Sequence, residues 1–313
     1  MISVLMSVYN ETLDEIRQSV DSVLSQSFSD FELIVVVDQP AYAEGLALLE
    51  AYARKDNRVS VLINEKNIGL AMSMNRAAEH ARGEWLLRMD ADDICLPGRF
   101  RLQYDAVCTG KYDLICGNYD FIDEDGNLLP QKAMVCTDRQ LDLLLPLRNA
   151  IHHPTVIMSA ELFHKVGGYR DYPCAQDYDL WLRMKCAGAR MHMLPEKLIC
   201  YRVRQAATTV QKRYRQACTG QYIRMLYRQN KPMEEYSYEG YLVFLKRKHV
   251  NDPVANEDYI RNFNCYMGAK QALKKGRLIV GIQDMFHVVF QSKYYRPEFV
   301  NSLKIAAIMK FVR

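Results

Sequence analysis

The sequence predicts an α/β protein with a doubly wound, mostly parallel sheet, followed by a mainly helical C-terminal region. Three observations lead there. Apolar runs of strand length alternate with amphipathic helical segments over residues 2–89, the pattern of successive β-α-β units. The run FELIVVV at 31–37 is near-continuously apolar, as a parallel strand covered on both faces must be. Charge is also unevenly placed: residues 1–200 carry 20 Lys/Arg against 29 Asp/Glu, and residues 201–313 carry 21 against 8. That asymmetry divides the chain into 1–205 and a basic 206–313.

Each element has its own signal. ISVLMSV at 2–8 reads as a buried strand. Thr12 and Glu15 form a capping-box pattern. Ile16, Val20, Val23 and Leu24 then mark an amphipathic helix through about Gln26. A helix over 43–55, a strand over 59–63, a helix over 69–82 stopped by Gly83 and a strand over 85–89 follow. Residues 113–135 read as a hairpin turning at Asp123-Glu124-Asp125-Gly126. HHPTVIMS at 152–159 reads as a strand and 160–166 as a helix broken by Gly167-Gly168. A helix covers 176–186, and the chain is mostly helical from about 205.

Composition removes several classes. With 313 residues, about half hydrophobic and a quarter charged, the chain is long enough for a real core and is not a disordered polymer. No apolar run reaches the roughly 18 residues of a membrane-spanning helix, and the start lacks the basic leader and cleavage site of a signal peptide. Nine cysteines without a CxxC pair read as reduced thiols of a cytoplasmic protein. No nucleic-acid-binding motif is present, so the basic tail is expected to meet another anion: phospholipid headgroups, a lipid-linked phosphate or the acidic first domain.

Ligands of such sheets sit beyond the carboxyl ends of the strands. Three ends carry suitable groups here: Ser7 and Tyr9 after the first strand, Asp38 after the second, and Asp90, Asp92 and Asp93 after 85–89. Crowded carboxylates repel one another unless a cation lies between them. Mg²⁺ or Mn²⁺ is the natural counter-ion for Asp and phosphate oxygens together. The alternative is a charged loop capping the next helix.

These stretches resemble glycosyltransferase family 2, nucleotide-sugar-dependent enzymes of the GT-A fold. The resemblance lies in ISVLMSVYNE, SVLSQSFSDFELIVVVDQ, NIGLAMSMNRAAEHARGEWLLRMDADDICLPGRF and GGYRDYPCAQDYDLWLRM, in the family's order over about residues 1–205. It implies inverting transfer of a sugar from a nucleoside diphosphate, expected to be UDP, to an acceptor hydroxyl. By position it implies base contacts from Ser7, Tyr9 and Asp38, a cleft lined by Asn67, Gly69 and Asn75, and a DxD metal site at Asp90 and Asp92 with Asp92 the more direct ligand. The chain departs from the family at Val37-Asp38-Gln39-Pro40, where Asp-Asp-Gly-Ser is usual, which leaves base choice open. Asp177 matches the catalytic base, with Gln176 replacing the usual Glu. Helical spacing puts Asp177 on one face with Leu180, Trp181 and Met184 and turns Asp179 elsewhere; the alternative is that Asp177 only caps its helix.

Other residues stay open between function and packing: His152 and His153, Arg88 inside its strand, and Arg202 with Arg204 as a phosphate clamp or a solvated pair. The Gln-x-x-Arg-Trp motif of processive synthases is absent, which favours single additions. The resemblance implies a saccharide acceptor, often lipid-linked at the inner face of a bacterial plasma membrane; the basic tail reads either as a helical subdomain packed on the first domain or as a peripheral contact with the anionic membrane surface. Competing readings are a GT-A-like nucleotidyltransferase and a degenerate sugar-nucleotide-binding module. A dehydrogenase is disfavoured because no GxGxxG follows a strand.

Overall fold

The computed structural model describes residues 1–130, 134–204, 208–229, 237–291 and 294–312, with side chains at all of these except 208–212, 289 and 291. It forms two compact units, one of Met1–Asp142 with Asn149–Arg204 and one of Leu143–Arg148 with Gln205–Arg313.

In the first unit the chain runs β1 (Ile2–Val8), α1 (Leu13–Leu24), β2 (Phe31–Val37), α2 (Ala43–Lys55), β3 (Val59–Ile63), α3 (Gly69–Glu79), β4 (Trp85–Arg88) and β5 (Ile94–Cys95). It continues through α4 (Arg99–Cys108), β6 (Leu114–Ile122), β7 (Leu128–Leu129), α5 (Asp138–Leu144), β8 (Ile157–Ser159), α6 (Ala160–Lys165), α7 (Gln176–Cys186) and β9 (Met191–Arg202). One sheet has the order β3-β2-β1-β4-β8-β6-β9-β5, with β7 on β6. The half β3-β2-β1-β4 is parallel. Beyond β4 the sheet is mixed: β8 is antiparallel to both β4 and β6, and β9 runs parallel to β6.

Register aligns the strand ends. Val8 faces Val37 and Val37 faces Ile63, so Tyr9, Asp38 and Asn64 emerge level with one another. Leu5 faces Arg88, and the Met89 N–H donates to the Leu5 carbonyl, which brings Asp90 to the same edge. The core beneath is apolar: Val4, Met6 and Val35 are fully buried, as are Ile16, Val20 and Val23 along one face of α1. Each such side chain contributes about 1.5–3 kcal/mol. The Thr12–Glu15 capping box forms as the sequence predicts.

Three local expectations change. Helix α3 ends at Glu79 rather than 82, and Gly83 is not its stop. A Cβ on Gly83 would lie 2.7 Å from the Ser3 backbone nitrogen, so glycine there admits a close crossing of β1. The strand read over 152–159 shortens to the three residues Ile157–Ser159. Pro154 has no N–H for a ladder, and His153–Thr155 form a 3₁₀ turn before β8. The hairpin over 113–135 survives as β6 and the two-residue β7 around a turn with Gly126 at φ 89°; residues 131–133 of that span lie outside the described residues.

The second unit is helical: α8 (Thr208–Arg228), α9 (Tyr238–Arg247), α10 (Pro253–Lys274), α11 (Leu278–Gln291) and α12 (Arg296–Phe311). Tyrosines fill its interior: Tyr214 packs on Tyr259 at 5.0 Å, and Tyr259 on Tyr295 at 5.3 Å. Arg224 meets Glu298 at 2.7 Å. Among the described residues, no helix is long and apolar enough to cross a membrane.

Candidate active site

A cleft of about 380 Å³ opens at the carboxyl edge of the parallel half-sheet. Ser7, Tyr9, Asp38, Asn67, Gly69, Asp90 and Asp92, all singled out in the sequence, line it together. Glu11, Leu70 and Tyr201 complete the wall. The sequence reading missed these three. Glu11 sits just past a strand end and could have been found by the same edge rule; Tyr201 arrives on β9, which gave no strand signal.

Asp38 is buried and closes the start of α3. Its carboxylate accepts from Asn64 Nδ2 at 2.7 Å and from the Ile68 and Gly69 N–H groups at 2.8 and 2.9 Å. Those N–H groups have no partner inside the helix, and an aspartate satisfies them with the favourable sign for the helix dipole. Asn67 Oδ1 shares the Gly69 N–H at 2.9 Å.

Asn75 has a different task from the cleft lining that the resemblance implies. Its side-chain amide pairs with Tyr169 twice, Nδ2 to the carbonyl and Oδ1 from the N–H, both at 2.8 Å. Gly168 alongside has φ 63°, and a Cβ there would lie 2.6 Å from Asn75 Oδ1, so both the angle and the space call for glycine.

The three aspartates after β4 part company. Asp93 is fully buried and accepts from the Arg202 N–H at 2.9 Å. Asp90 and Asp92 face the cleft. Arg88, buried inside β4, pairs with Asp90, so the strand arginine does meet a cleft carboxylate. Its Nε is buried without a hydrogen-bond partner. Arg202 is neither a clamp for a ligand nor solvated: it is buried and donates to the carbonyls of Asp92, Asp123 and Glu124 and to Gln18, which pins the loop. Arg204 reaches Asp92 at 3.4 Å and Glu15 at 3.1 Å. Burial, then the neighbouring Asp90, pushes Asp92 from 3.8 up to about 7. Burial raises Glu11 as well, with Asp90 adding to the rise.

Asp177 stands in the first turn of α7 and accepts from Asn149 Nδ2 at 2.6 Å. Burial raises its pKa, opposed by that bond, by N–H groups of the helix start and by Arg88. The facing argument fails for Asp179. It is buried, bound to Arg183 at 2.8 Å and to Arg170 at 3.4 Å. Arg183 in turn donates to the carbonyls of Val166 and Gly168. Residues 178–184 are all buried, so α7 has no outer face to which the periodicity could assign Asp179.

The two histidines are ring-packed. His153 Nε2 bonds the Tyr169 hydroxyl at 2.7 Å, and its ring lies edge-on to Trp181. His152 stacks on Tyr119 at 3.9 Å and meets the cleft residue Tyr201 edge-on at 4.6 Å. Burial holds His152 near 4, well below an ordinary imidazole, so it is neutral at pH 7.

Comparison with known proteins agrees with this architecture. The sequence model of Glycosyl transferase family 2 matches residues 3–167. The O-antigen biosynthesis glycosyltransferase WbnJ of Escherichia coli is 32% identical over 213 residues, 66% of this chain and 82% of that protein. The amylovoran biosynthesis glycosyltransferase AmsE of Erwinia amylovora is 28% identical over 214 residues, covering 68% and 79%. Among solved structures, S. aureus TarS 1-349 in complex with UDP-GlcNAc is similar at a TM-score of 0.58 and 17% identity over 98% of this chain and 81% of that chain, a likeness of fold. With the family match spanning more than half of its length, the chain belongs to glycosyl transferase family 2 and is a glycosyltransferase.

Proposed function

We propose that this enzyme moves a sugar from a UDP-sugar to an acceptor hydroxyl with inversion at the anomeric carbon, in the synthesis of a surface polysaccharide. The observation that carries the reading is the convergence of seven strand-end and loop residues on one cleft, among them the neighbouring carboxylates Asp90 and Asp92. The UDP-GlcNAc in the TarS complex and the O-antigen and amylovoran roles in the relatives' names support the donor and the pathway class.

Asp38 and the Ser7–Tyr9 strand end would hold the base. Asp38 keeps its place through the α3 cap, so its contact with a base would be made by whatever lone-pair capacity that cap leaves. Asp177 would take the proton of the attacking hydroxyl. Its raised pKa makes it a stronger base than a surface carboxylate, and Asn149 holds one oxygen in place. A divalent metal, Mn²⁺ or Mg²⁺, fits the donor set. Asp90 and Asp92 are hard oxygen ligands; burial and then the repulsion of Asp90 raise Asp92, and a cation would relieve both. Among the described residues no group of three or more His, Cys, Asp or Glu is arranged to hold a metal; with two carboxylates, the remaining ligands would be phosphate oxygens and water. Such an ion supplies charge stabilisation to a leaving diphosphate. Arg204, beside Asp92, would add a second positive group.

The acceptor is read as a lipid-linked saccharide, with the enzyme on the cytoplasmic side in peripheral contact with an anionic membrane. The competing reading is a binding module without transfer. It draws on Asp38 being committed to a helix cap.

Thermal unfolding with UDP, GDP, dTDP and CMP, each with and without Mn²⁺, tests the site. UDP at about a hundred times its Kd should add roughly 2.7 kcal/mol, and only with metal. Stabilisation by another nucleotide would reassign the base. No shift with any nucleotide would remove the donor reading, and a shift without sugar transfer would favour the binding module.

A further inference from the structure

Among the described residues, the helical unit concentrates its exposed apolar side chains on α11 and α12. Among the described residues 23 large hydrophobic side chains are exposed, and ten of them fall within residues 278–311. On α11, Ile279, Ile282, Phe286 and Phe290 are 75, 53, 61 and 68% exposed. Their spacing of i, i+3, i+7 and i+11 puts them in one stripe. The opposite side of α11 is the packed one: Val288 is fully buried, and Gly281 lies so close to Leu273 of α10 that a Cβ would meet it at 2.5 Å. Val300, Leu303 and Phe311 repeat the spacing on α12, exposed by 45, 53 and 74%. Scattered exposed leucines are normal, whereas contiguous apolar stripes mark a contact.

Charge identifies the contact. Residues 270–313 hold nine Lys/Arg and two Asp/Glu, Asp284 and Glu298. Glu298 is engaged by Arg224. A second copy of the chain would set this positive excess against itself across a two-fold interface. A lipid surface carrying phosphate complements it, and an interfacial helix needs this combination of an apolar stripe and basic neighbours. No helix of the described residues can span a bilayer, so the stripes would lie in the interface rather than cross it.

We propose that α11 and α12 together form the surface by which this protein rests on an anionic phospholipid bilayer, with the stripes at the headgroup–acyl boundary and Lys304 and Lys310 among the phosphates. This deepens the peripheral-contact part of the proposed function by naming the surface.

Co-sedimentation of the full chain with phosphatidylcholine vesicles, with and without phosphatidylglycerol, tests it. Binding should require phosphatidylglycerol and weaken in high salt. Phe286→Ser with Phe290→Ser should lower it by about tenfold or more, since both rings leave the lipid. The metal-dependent thermal shift with UDP should be unchanged in that variant, so a failed lipid experiment and a failed transferase reading give different results. Equal pelleting of the wild type and the variant overturns the proposal. So does a lipid-free oligomer that the substitutions dissociate, which would make the stripes a contact between copies. A variant that melts lower while binding vesicles like the wild type would place the stripes against the rest of the molecule, and overturns it too.

Discussion

Arginine is used in opposite ways in the two units. In the catalytic unit Arg88, Arg99, Arg183 and Arg202 are buried, and each reaches a carboxylate, a carbonyl or both. In the helical unit Arg224 is buried on Glu298, but Lys246, Arg247, Lys274, Lys275, Arg277, Lys304 and Lys310 all stand in solvent. A buried guanidinium with its five donors fixes the loops around it. Exposed cations fix nothing locally and instead set up a field. Removing charge should therefore have large, specific effects in the first unit and small effects on folding in the second.

Four variants would break or sharpen that contrast. Asp177→Asn should lower kcat by about 10²–10⁴ while the UDP-dependent thermal shift stays as in the wild type. Steady-state kinetics beside the melting curves checks it, and unchanged turnover would remove Asp177 as the base. Asp179→Ala should cost about 3–5 kcal/mol in urea unfolding, because Arg183 is left buried without its carboxylate. A loss below about 1 kcal/mol would mean that the pair is screened like a surface bridge.

Asp92→Asn should act in the opposite direction. A carboxyl raised in the folded state binds its proton there more tightly than in the unfolded chain, so the wild-type protein without metal loses stability as pH rises from 3.8 towards about 7. The variant should flatten that fall and be more stable at pH 8 by about 1–2 kcal/mol after allowance for solvent screening. It should also lose the metal-dependent response to UDP. A wild-type profile flat across that window would refute the raised state of the buried Asp92. The smallest effect is expected for Lys304→Gln with Lys310→Gln: folding stability should change by less than about 0.5 kcal/mol, while retention on phosphatidylglycerol vesicles falls.

The sequence reading succeeded where a local pattern decides the structure. Strands β1, β2 and β3 and helices α2 and α7 have the boundaries read from periodicity, because each is a continuous apolar run or a clear helical repeat between breakers. Strand β9 was invisible. Pro195, Glu196 and Lys197, all exposed, interrupt it, and its register on β6 shifts between Cys116 and Asn118, so its strand character comes from a distant partner. The same limit hid Tyr201 from the cleft. Asp179 was misplaced for a related reason: in a helix buried on all sides, a partner such as Arg183 decides where a charge goes, not the helical period. The resemblance supplied Asn75 as a cleft residue. Only the fold shows both ends of its amide bound to Tyr169.

That last contact makes the site a calliper. One jaw is the start of α3, which Asp38 ties to the sheet edge; the other is the chain from Tyr169 to α7, which carries Asp177. Asn75, one and a half turns into α3, is the rivet between them, and Arg183 braces the far jaw at Gly168. The spacing between the cleft edge at Asp38 and the helix that carries Asp177 is thereby set by the protein's own framework. A substrate would not have to draw the jaws together, so its binding energy would remain available for the reacting bond.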